Sequence, residues 1–249
     1  MGTFRFKRFS VVNERSAMKV NTDGVLLGAA MTIHSTDRNF LDVGTGTGTI
    51  ALMAAQRISD LLAADSAAQE HFVVDAVDLD EPSIQEASAN FQNSPWGKNL
   101  QVHHSAFDEF AEAHTDSRYD LIFSNPPYFE DSLLAPQERR SQARHTATGL
   151  SYRELLDFAG TALSEDGRFA IVLPADQEQP LCRYARMSGL HLFRMLRIRT
   201  VPRKEPARII AEFSRHRCES PTEELLTIQN EGKYTDEYLS LTHDFYLFA

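Results

Sequence analysis

The fold is decided by residues 39–48, Asn39-Phe40-Leu41-Asp42-Val43-Gly44-Thr45-Gly46-Thr47-Gly48. The first five residues are mostly apolar and predict a strand, and the last five place a glycine at every second position. Residues 49–64 follow with Ala, Leu and Ile at helical spacing, which predicts a helix. Glycines let a ligand approach the main chain, and a helix N-terminus presents free N–H groups. This strand, loop and helix predict a nucleotide-type binding site.

Two acids accompany the glycine loop. Asp42 lies two residues before the first glycine, and Asp78 closes the next predicted strand, 36 positions later. Asp78 is expected to accept hydrogen bonds from ribose hydroxyls, whereas Asp42 has a second interpretation as a carboxylate that caps the loop. Asp80 is expected to cap the helix that follows. The spacing is not the dinucleotide fingerprint, because Thr49 stands where the last glycine of Gly-x-Gly-x-x-Gly would be.

Strand-like and helix-like runs alternate through most of the chain, which is typical of a parallel sheet covered by helices. Strands are expected at residues 39–43, 72–77, 100–104, 119–124 and 168–173, with helices over 49–64, after Asp80, and from the capping box of Ser151 and Glu154 to Leu163. Two more strand-like runs, 190–199 and 208–213, have no helix between them. We therefore expect an α/β fold with a doubly wound, mostly parallel seven-stranded sheet and an antiparallel strand pair at its C-terminal end.

Composition excludes several classes of protein. Hydrophobic residues make up 42% and charged residues 24% of the chain, as in globular domains, and two cysteines are too few for a disulfide scaffold. No apolar run is long enough to span a membrane, and the N-terminus lacks the apolar segment of a signal peptide. No spacing of His, Cys and acidic residues suggests a metal site. We expect a cytoplasmic protein with no membrane association and no metal.

The charge is unevenly distributed. The net charge is −10, yet residues 183–217 hold ten Lys and Arg against two acids, and the first twenty residues hold five against one. Local field, and not net charge, governs the docking of a polyanion, so these stretches are candidates for binding nucleic acid. A plain solvated surface is the alternative interpretation.

The loop Asn125-Pro126-Pro127-Tyr128 directly follows the fourth predicted strand. Its prolines fix the backbone and remove two donors, which leaves the Asn125 side-chain oxygen and the Pro126 carbonyl as acceptors. These two acceptors suit both N–H groups of a planar amine, and Tyr128 offers a face for stacking a base. Ligands of open parallel sheets bind beyond the carboxyl ends of the strands, so this loop should adjoin the glycine loop. The alternative is a rigid proline turn.

These two motifs resemble those of known enzymes. Asp-x-Gly-x-Gly-x-Gly with a strand-end acid resembles the S-adenosyl-L-methionine (AdoMet) site of class I methyltransferases, which have a Rossmann-like fold. Asn-Pro-Pro-Tyr resembles the motif of amino methyltransferases that act on adenine N6, cytosine N4, guanine N2 or the glutamine amide. The resemblance implies AdoMet as cofactor and methyl transfer to an amine.

The stretch Lys19-Val20-Asn21-Thr22-Asp23-Gly24 before an apolar helix is similar to the N-terminal element of the bacterial tRNA1(Val) adenine-37 N6-methyltransferase family. The resemblance continues at residues 93–96, 124–129, 143–146 and 245–248, and so spans essentially the whole chain. Only 41 residues precede Asp42, too few for the helical domain of the glutamine-modifying relatives.

This resemblance implies a single methyltransferase domain over residues 1–249, in which residues 1–38 pack over the cofactor site. The implied substrate is the adenine next to the anticodon of one tRNA, bound by its anticodon stem-loop, and we expect a monomer. Ribosomal RNA, DNA or protein glutamine as acceptor, and a non-catalytic AdoMet- or RNA-binding protein, are the alternatives.

The resemblance also implies roles for individual residues. Catalysis is expected from Asn125, Pro126 and Tyr128, cofactor binding from Lys19, Thr22, Asp42, Gly44, Gly46, Gly48, Asp78, Ala106, Phe107 and Asn125, and substrate binding from Pro127, Phe129, Arg144, Arg203 and Lys204. Further candidate phosphate contacts are Arg5, Lys7, Arg8, Arg139, Arg140, Arg194, Arg197 and Arg208. The sequence departs from many relatives at the end of the third strand, where Phe107 replaces an acid that contacts the cofactor adenine. A backbone carbonyl near Ala106 is expected to serve instead.

Overall fold

The structure, a computed structural model, describes residues 2–16, 18–64, 71–127 and 150–249. The helices in these ranges are α1 (Thr22–Ala30), α2 (Thr49–Ala64), α3 (Glu81–Gln92), α4 (Phe107–Ala113), α5 (Tyr152–Ala162), α6 (Glu178–Met187) and α7 (Asp236–Thr242), with a short 3-10 helix at Ala175–Gln177. The strands are β1 (Thr3–Arg5), β2 (Ser10–Val12), β3 (Asn39–Val43), β4 (Val73–Asp78), β5 (Leu100–His104), β6 (Tyr119–Ser124), β7 (Leu163–Pro174), β8 (His191–Arg199), β9 (Arg208–Ser214), β10 (Thr222–Thr227), β11 (Gln229–Asn230) and β12 (Lys233–Tyr234).

The large sheet has the strand order β10-β8-β9-β7-β6-β3-β4-β5. Neighbouring strands are parallel except on the two sides of β9, which pairs antiparallel with both β7 and β8. The predicted mostly parallel sheet and the predicted antiparallel pair are therefore confirmed. The sheet contains eight strands within the described residues, one more than the seven predicted, because β10 adds to β8 in parallel at the edge.

Helices cover both faces of the sheet, as the doubly wound prediction requires. Phe40 of β3 and Phe123 of β6 face α1 and α2 in one apolar core. Leu41 and Ile122, their neighbours along the chain, face α5 and α6 in a second core. Side chains alternate between the faces of a strand, so a central strand buried on both faces is apolar nearly throughout. The apolar residues on both faces of β3 and β6 are the reason that the sequence predicts these strands correctly.

The predicted helix caps are present. Asp80 accepts a hydrogen bond from Ser83 N at the start of α3, and Ser151 and Glu154 form the capping box of α5. Each such cap satisfies N–H groups that the first turn of a helix leaves without a partner.

Among the described residues, no helix is both long and apolar enough to cross a membrane.

The N-terminal segment forms a hairpin of β1 and β2 that packs against aromatic side chains far away in the sequence. The Phe6 ring stacks on Phe9 with centroids 4.6 Å apart and lies 6.1 Å from Tyr246 near the C-terminus. Phe9 contacts Trp96 edge to face at 6.0 Å. These contacts hold the start of the chain against the domain, from where residues 18–21 reach the carboxyl edge of the sheet.

Candidate functional site

The carboxyl ends of β3 and β6 meet at one edge of the sheet, and a pocket lies there. Its walls are residues 18–21 and Gly24 of the N-terminal segment, residues 44–47 with Thr49 and Ile50, and Asn125. The predicted adjacency of the glycine loop and the Asn125 loop is therefore present. Two segments predicted from separate parts of the chain form one site.

The glycine loop adopts backbone conformations that favour glycine. The φ angles of Gly44, Gly46 and Gly48 are +71°, +55° and +79°. A Cβ atom at Gly48 would lie 2.3 Å from the Phe91 ring, so this glycine allows close packing of the loop against α3. A Cβ atom at Gly46 would meet no atom within 4 Å. Gly46 therefore exposes its main chain to open space, where a ligand can approach.

Asp42 is fully buried at the base of the loop. Its Oδ2 accepts hydrogen bonds from Thr45 Oγ1 at 2.8 Å and from Ala51 N at 3.1 Å, which is the loop-capping interpretation. Burial, with a smaller contribution from the nearby Asp78 charge, raises the pKa of the carboxyl to about 7, and the two donors only partly oppose this rise. Its Oδ1 has no hydrogen-bond partner among the described residues. A buried oxygen without a partner is costly and favours a donor or a positive charge nearby.

Asp78 stands at the carboxyl end of β4 and is tied to the same loop. Its Oδ2 accepts a hydrogen bond from Gly46 N at 2.8 Å, and its Oδ1 accepts one from Asp80 N at 2.9 Å. An ionised carboxylate has about four lone-pair sites, so these two bonds leave acceptor capacity for hydroxyl groups. The position is compatible with the ribose-binding role expected from the sequence.

Asn125 follows β6 directly, and its side chain is buried beside the glycine loop, with 6% of the residue exposed. Ser124 Oγ donates a 2.7 Å hydrogen bond to the Val43 carbonyl, which joins the ends of β6 and β3. Pro126 is buried and Pro127 is half-buried. The predicted site residues Tyr128, Phe129 and Arg144, together with Arg139 and Arg140, lie outside the described residues.

The N-terminal segment is held to α3 through one carboxylate. Glu86 accepts hydrogen bonds from the main-chain N–H groups of Glu14, Arg15 and Ser16 at 2.8, 2.7 and 3.0 Å. Burial raises the pKa of Glu86, but these three donors and the Lys19 charge outweigh it, and the net pKa is lowered. Lys19 Nζ donates to the carbonyls of residues 13, 14 and 16 at 2.6–3.0 Å. Lys19 therefore lines the pocket while its ammonium group organises this loop.

Of the residues predicted to bind the cofactor, the pocket wall contains Lys19, Gly44, Gly46 and Asn125, and it does not contain Thr22, Asp42, Gly48, Asp78, Ala106 or Phe107. Thr22 is the first residue of α1 and does not line the pocket, whereas the preceding Asn21 does. The Ala106 carbonyl already accepts hydrogen bonds from Phe110 N and Ser105 Oγ at 3.0 and 2.9 Å. The Phe107 ring packs edge to face against Phe158 at 5.3 Å. The sequence analysis missed Asn21, although its position before an apolar helix is the usual signal of an N-cap.

Many of the candidate phosphate contacts are engaged within the protein. Ion pairs join Arg194 to Glu212 and Glu224, Arg197 to Glu178 and Glu223, Arg208 to Asp23, and Arg8 to Asp60. Lys7 Nζ donates to the carbonyls of His243 and Ala249. These cations have partners within the protein, and their predicted phosphate contacts stay predictions.

Arg203 and Lys204 are placed differently from these paired cations. Both are exposed in the turn between β8 and β9. The carboxyl end of β8 opens on the same edge of the sheet as that of β6, because both strands run in the same direction.

Among the described residues, no group of three or more His, Cys, Asp or Glu side chains could hold a metal ion.

Comparison with known proteins gives consistent matches. The family model described as methyltransferase small domain matches residues 15–184. The chain is similar over nearly its full length to proteins named tRNA1(Val) (adenine(37)-N6)-methyltransferase. The one from Bacteroides fragilis is 40% identical to it, and the match covers 98% of this chain and 97% of that protein. The one from Yersinia enterocolitica is 39% identical, and the match covers 99% and 93%. The one from Flavobacterium psychrophilum is 38% identical (98% and 99%).

Solved structures are similar in fold. A structure titled as a predicted O-methyltransferase from Agrobacterium tumefaciens superposes with a TM-score of 0.64 and 15% identity, covering 90% of this chain and 96% of that one. A SAM-dependent methyltransferase from the same organism gives a TM-score of 0.56 and 13% identity, covering 86% and 70%. At these identities the likeness concerns the fold alone.

Proposed function

The chain belongs to the methyltransferase small domain family, and we propose that it transfers a methyl group from AdoMet to N6 of adenine 37 in tRNA1(Val). Family membership makes the chain an AdoMet-dependent methyltransferase, and the Rossmann-like fold expected from the sequence is confirmed. The observation that carries the proposal is the placement of Asn125 and the glycine loop on the walls of one pocket. The relatives that match over nearly the full chain supply the choice of tRNA and position.

The pocket, together with the two carboxylates bonded to its glycine loop, fits AdoMet. We propose that Asp78 accepts hydrogen bonds from the ribose hydroxyls and that the main chain at Gly44 and Gly46 lies against the cofactor. Gly46 supports this because a Cβ atom there would extend into open space. The unpartnered Oδ1 of Asp42 supports a positively charged ligand nearby. AdoMet supplies an electrophilic methyl group on a sulfonium.

The chemical task of this chain is to orient an amine. The lone pair of adenine N6 is delocalised into the ring, which makes the nitrogen a weak nucleophile. We propose that the Asn125 side-chain oxygen and the Pro126 carbonyl accept its two N–H groups, which favours a pyramidal nitrogen with an exposed lone pair. Orientation of this kind is worth about 7–11 kcal/mol in favourable cases. The proton leaves after the methyl group arrives, so no general base is required.

The base itself has to leave the RNA stack. Sequence-specific recognition of RNA usually targets single-stranded loops, whose bases stack on aromatic side chains. Tyr128, Phe129 and Pro127 remain our proposed contacts to the base. Arg203 and Lys204 are proposed to bind phosphates of the anticodon stem-loop, because they are exposed on the edge of the sheet that carries the site. Arg144 stays a predicted contact.

We also propose that the protein acts as a monomer in the cytoplasm, as the family resemblance and a tRNA substrate imply.

The proposal is tested by methyl transfer from labelled AdoMet to separate pools of unmodified tRNA, ribosomal RNA, DNA and protein, with mass spectrometry of the digested products. N6-methyladenosine in the tRNA pool is the expected result. Label in another pool would agree with methylation of an amine but contradict the proposed tRNA substrate. Bound AdoMet without label in any pool would favour a non-catalytic binding protein.

A further inference from the structure

Asn21 has a side-chain amide of fixed orientation. Its Oδ1 accepts a hydrogen bond from Gly24 N at 2.8 Å and caps α1, while its Nδ2 donates to the Lys19 carbonyl at 3.2 Å. A donor and an acceptor at opposite ends of the amide leave one arrangement that satisfies both. The Asn21 oxygen is thereby held at the first turn of α1, on the wall of the pocket.

The same oxygen faces Asn125. Asn21 Oδ1 lies 3.4 Å from Asn125 Nδ2, and Met18 Sδ lies 3.9 Å from that nitrogen. A Cβ atom at Gly24 would lie 3.6 Å from the same nitrogen, so the glycine leaves room for this approach. A carbonyl oxygen has two lone pairs, which allows Asn21 to accept from Gly24 and from Asn125 together. The amide nitrogen of Asn125 is therefore turned toward the start of α1.

We propose that Asn21 is a positioning residue that fixes the orientation of the Asn125 amide. This inference rests on the proposed role of Asn125 in accepting an amine N–H. The two ends of an asparagine amide have nearly the same shape, and a flipped Asn125 would present N–H donors to the donors of the amine. By holding the nitrogen, Asn21 directs the oxygen of Asn125 to the reacting group. The 3.4 Å distance is expected to shorten when both ligands are bound, as catalytic hydrogen bonds often do.

Two substitutions separate this role from capping. Ser is as good an N-cap as Asn, so Asn21→Ser should preserve α1, but its hydroxyl is one bond shorter and does not reach Asn125 while it caps Gly24. Asn21→Asp keeps an acceptor at the position of Oδ1 and also caps, but its second oxygen faces the Lys19 carbonyl, to which Asn21 Nδ2 donates. Thr235→Ala is the control for loss of a cap elsewhere, because Thr235 caps α7 and is not part of the pocket.

The first readout is the rate of methyl transfer to tRNA in a single turnover with saturating AdoMet. Asn21→Ser should slow this rate by about tenfold to a hundredfold, the scale of a small misplacement in an active site, and saturating AdoMet keeps any change in cofactor affinity out of the rate. Asn21→Asp should be faster than Asn21→Ser, because it keeps the acceptor, and Thr235→Ala should keep the wild-type rate. In an Asn125→Ala background, Asn21→Ser should cause no further loss. A wild-type rate for Asn21→Ser, or an undiminished extra loss in that background, would overturn the proposal.

The second readout needs neither ligand. The side-chain amide signal of Asn125 in an NMR spectrum is assigned by its disappearance in Asn125→Ala. Asn21→Ser should shift or broaden this signal, and Thr235→Ala should leave it in place; an unchanged signal in Asn21→Ser contradicts the contact. If the wild-type protein methylates no RNA, the proposed function fails on its own, and the amide signal still decides whether Asn21 holds Asn125.

Discussion

Asp78 Oδ2 accepts a 2.8 Å hydrogen bond from the main-chain N–H of Gly46. The acid that ends β4 therefore supports the glycine loop that follows β3, and two segments of the site behave as one unit. Loss of this carboxylate removes both the proposed ribose acceptor and the support of the loop.

Asp78→Ala should accordingly weaken AdoMet binding by about tenfold to a hundredfold, which corresponds to about 1.4–2.8 kcal/mol. Titration calorimetry with the purified protein measures this change. Asp116→Ala, at an exposed position after α4, is a suitable control. An unchanged affinity in Asp78→Ala would reject the ribose assignment.

The glycine loop offers a matched pair of substitutions. Gly48→Ala places a Cβ atom 2.3 Å from the Phe91 ring at a φ of +79°, so it should destabilise the fold by about 1–3 kcal/mol. Gly46→Ala meets open space at a φ of +55°, so it should cost less stability but obstruct the cofactor. Thermal unfolding and AdoMet titration of both variants separate the effects. If both variants lost the same stability and the same AdoMet affinity, Gly48 would not be specific to packing and Gly46 would not be specific to cofactor binding.

Asn125→Ala should slow methyl transfer at least a hundredfold, the usual effect of removing a preorganised hydrogen-bonding group, while AdoMet still binds. Single-turnover rates and calorimetry measure the two properties on the same preparation. Asn230→Ala, at an exposed position in β11, controls for the loss of an amide. Near-normal turnover of Asn125→Ala would refute the proposed amine contact.

Burial of Asp42 predicts a specific pH dependence of stability. The pKa of its carboxyl is raised to about 7 in the folded protein by burial, so ionisation opposes folding. The resulting destabilisation is absent below about pH 4, where the carboxyl is protonated in both the folded and the unfolded protein. It grows as the pH rises toward 7, by about 1.4 kcal/mol per pH unit at most. Asp42→Asn removes the ionisation, so its stability relative to wild type should increase between pH 4 and pH 7. Denaturant unfolding at several pH values tests this, and parallel stability curves for the two proteins would contradict it.

The central elements could be predicted because their sequences carry the whole signal. β3, β5, β6 and α2 have the bounds expected from the sequence, since apolar runs and helical spacing need no knowledge of distant partners. The caps of α3 and α5 are equally local. The same holds for the glycine loop, Asp78 and Asn125, whose positions follow from the strands that end beside them.

Elements that depend on distant partners could not be predicted. β10 has the sequence Thr-Glu-Glu-Leu-Leu-Thr, which is too polar to suggest a strand, and its first four residues are exposed. Its Glu223 and Glu224 pair with Arg197 and Arg194 of β8, so two cations of the basic stretch are neutralised by a segment far along the sequence. The sequence alone shows the charges of both segments but not their pairing.

The contact of Asn21 with Asn125 was missed for a related reason. Capping by Asn21 is a local role, whereas its approach to Asn125 depends on how α1 packs against α2 and β7. The expected Ala106 contact requires a carbonyl that the first turn of α4 already uses. Second roles of capping residues and competing uses of main-chain groups become visible only in three dimensions.

The proposed methylation is decided by mapping the methyl group in unmodified tRNA1(Val) after reaction with AdoMet, beside the same transcript with another base in place of adenine 37. Nuclease digestion and mass spectrometry should find N6-methyladenosine at position 37 of the first RNA and no methyl group on the second. Methylation of the second transcript, or a methyl group at another position of the first, would contradict it.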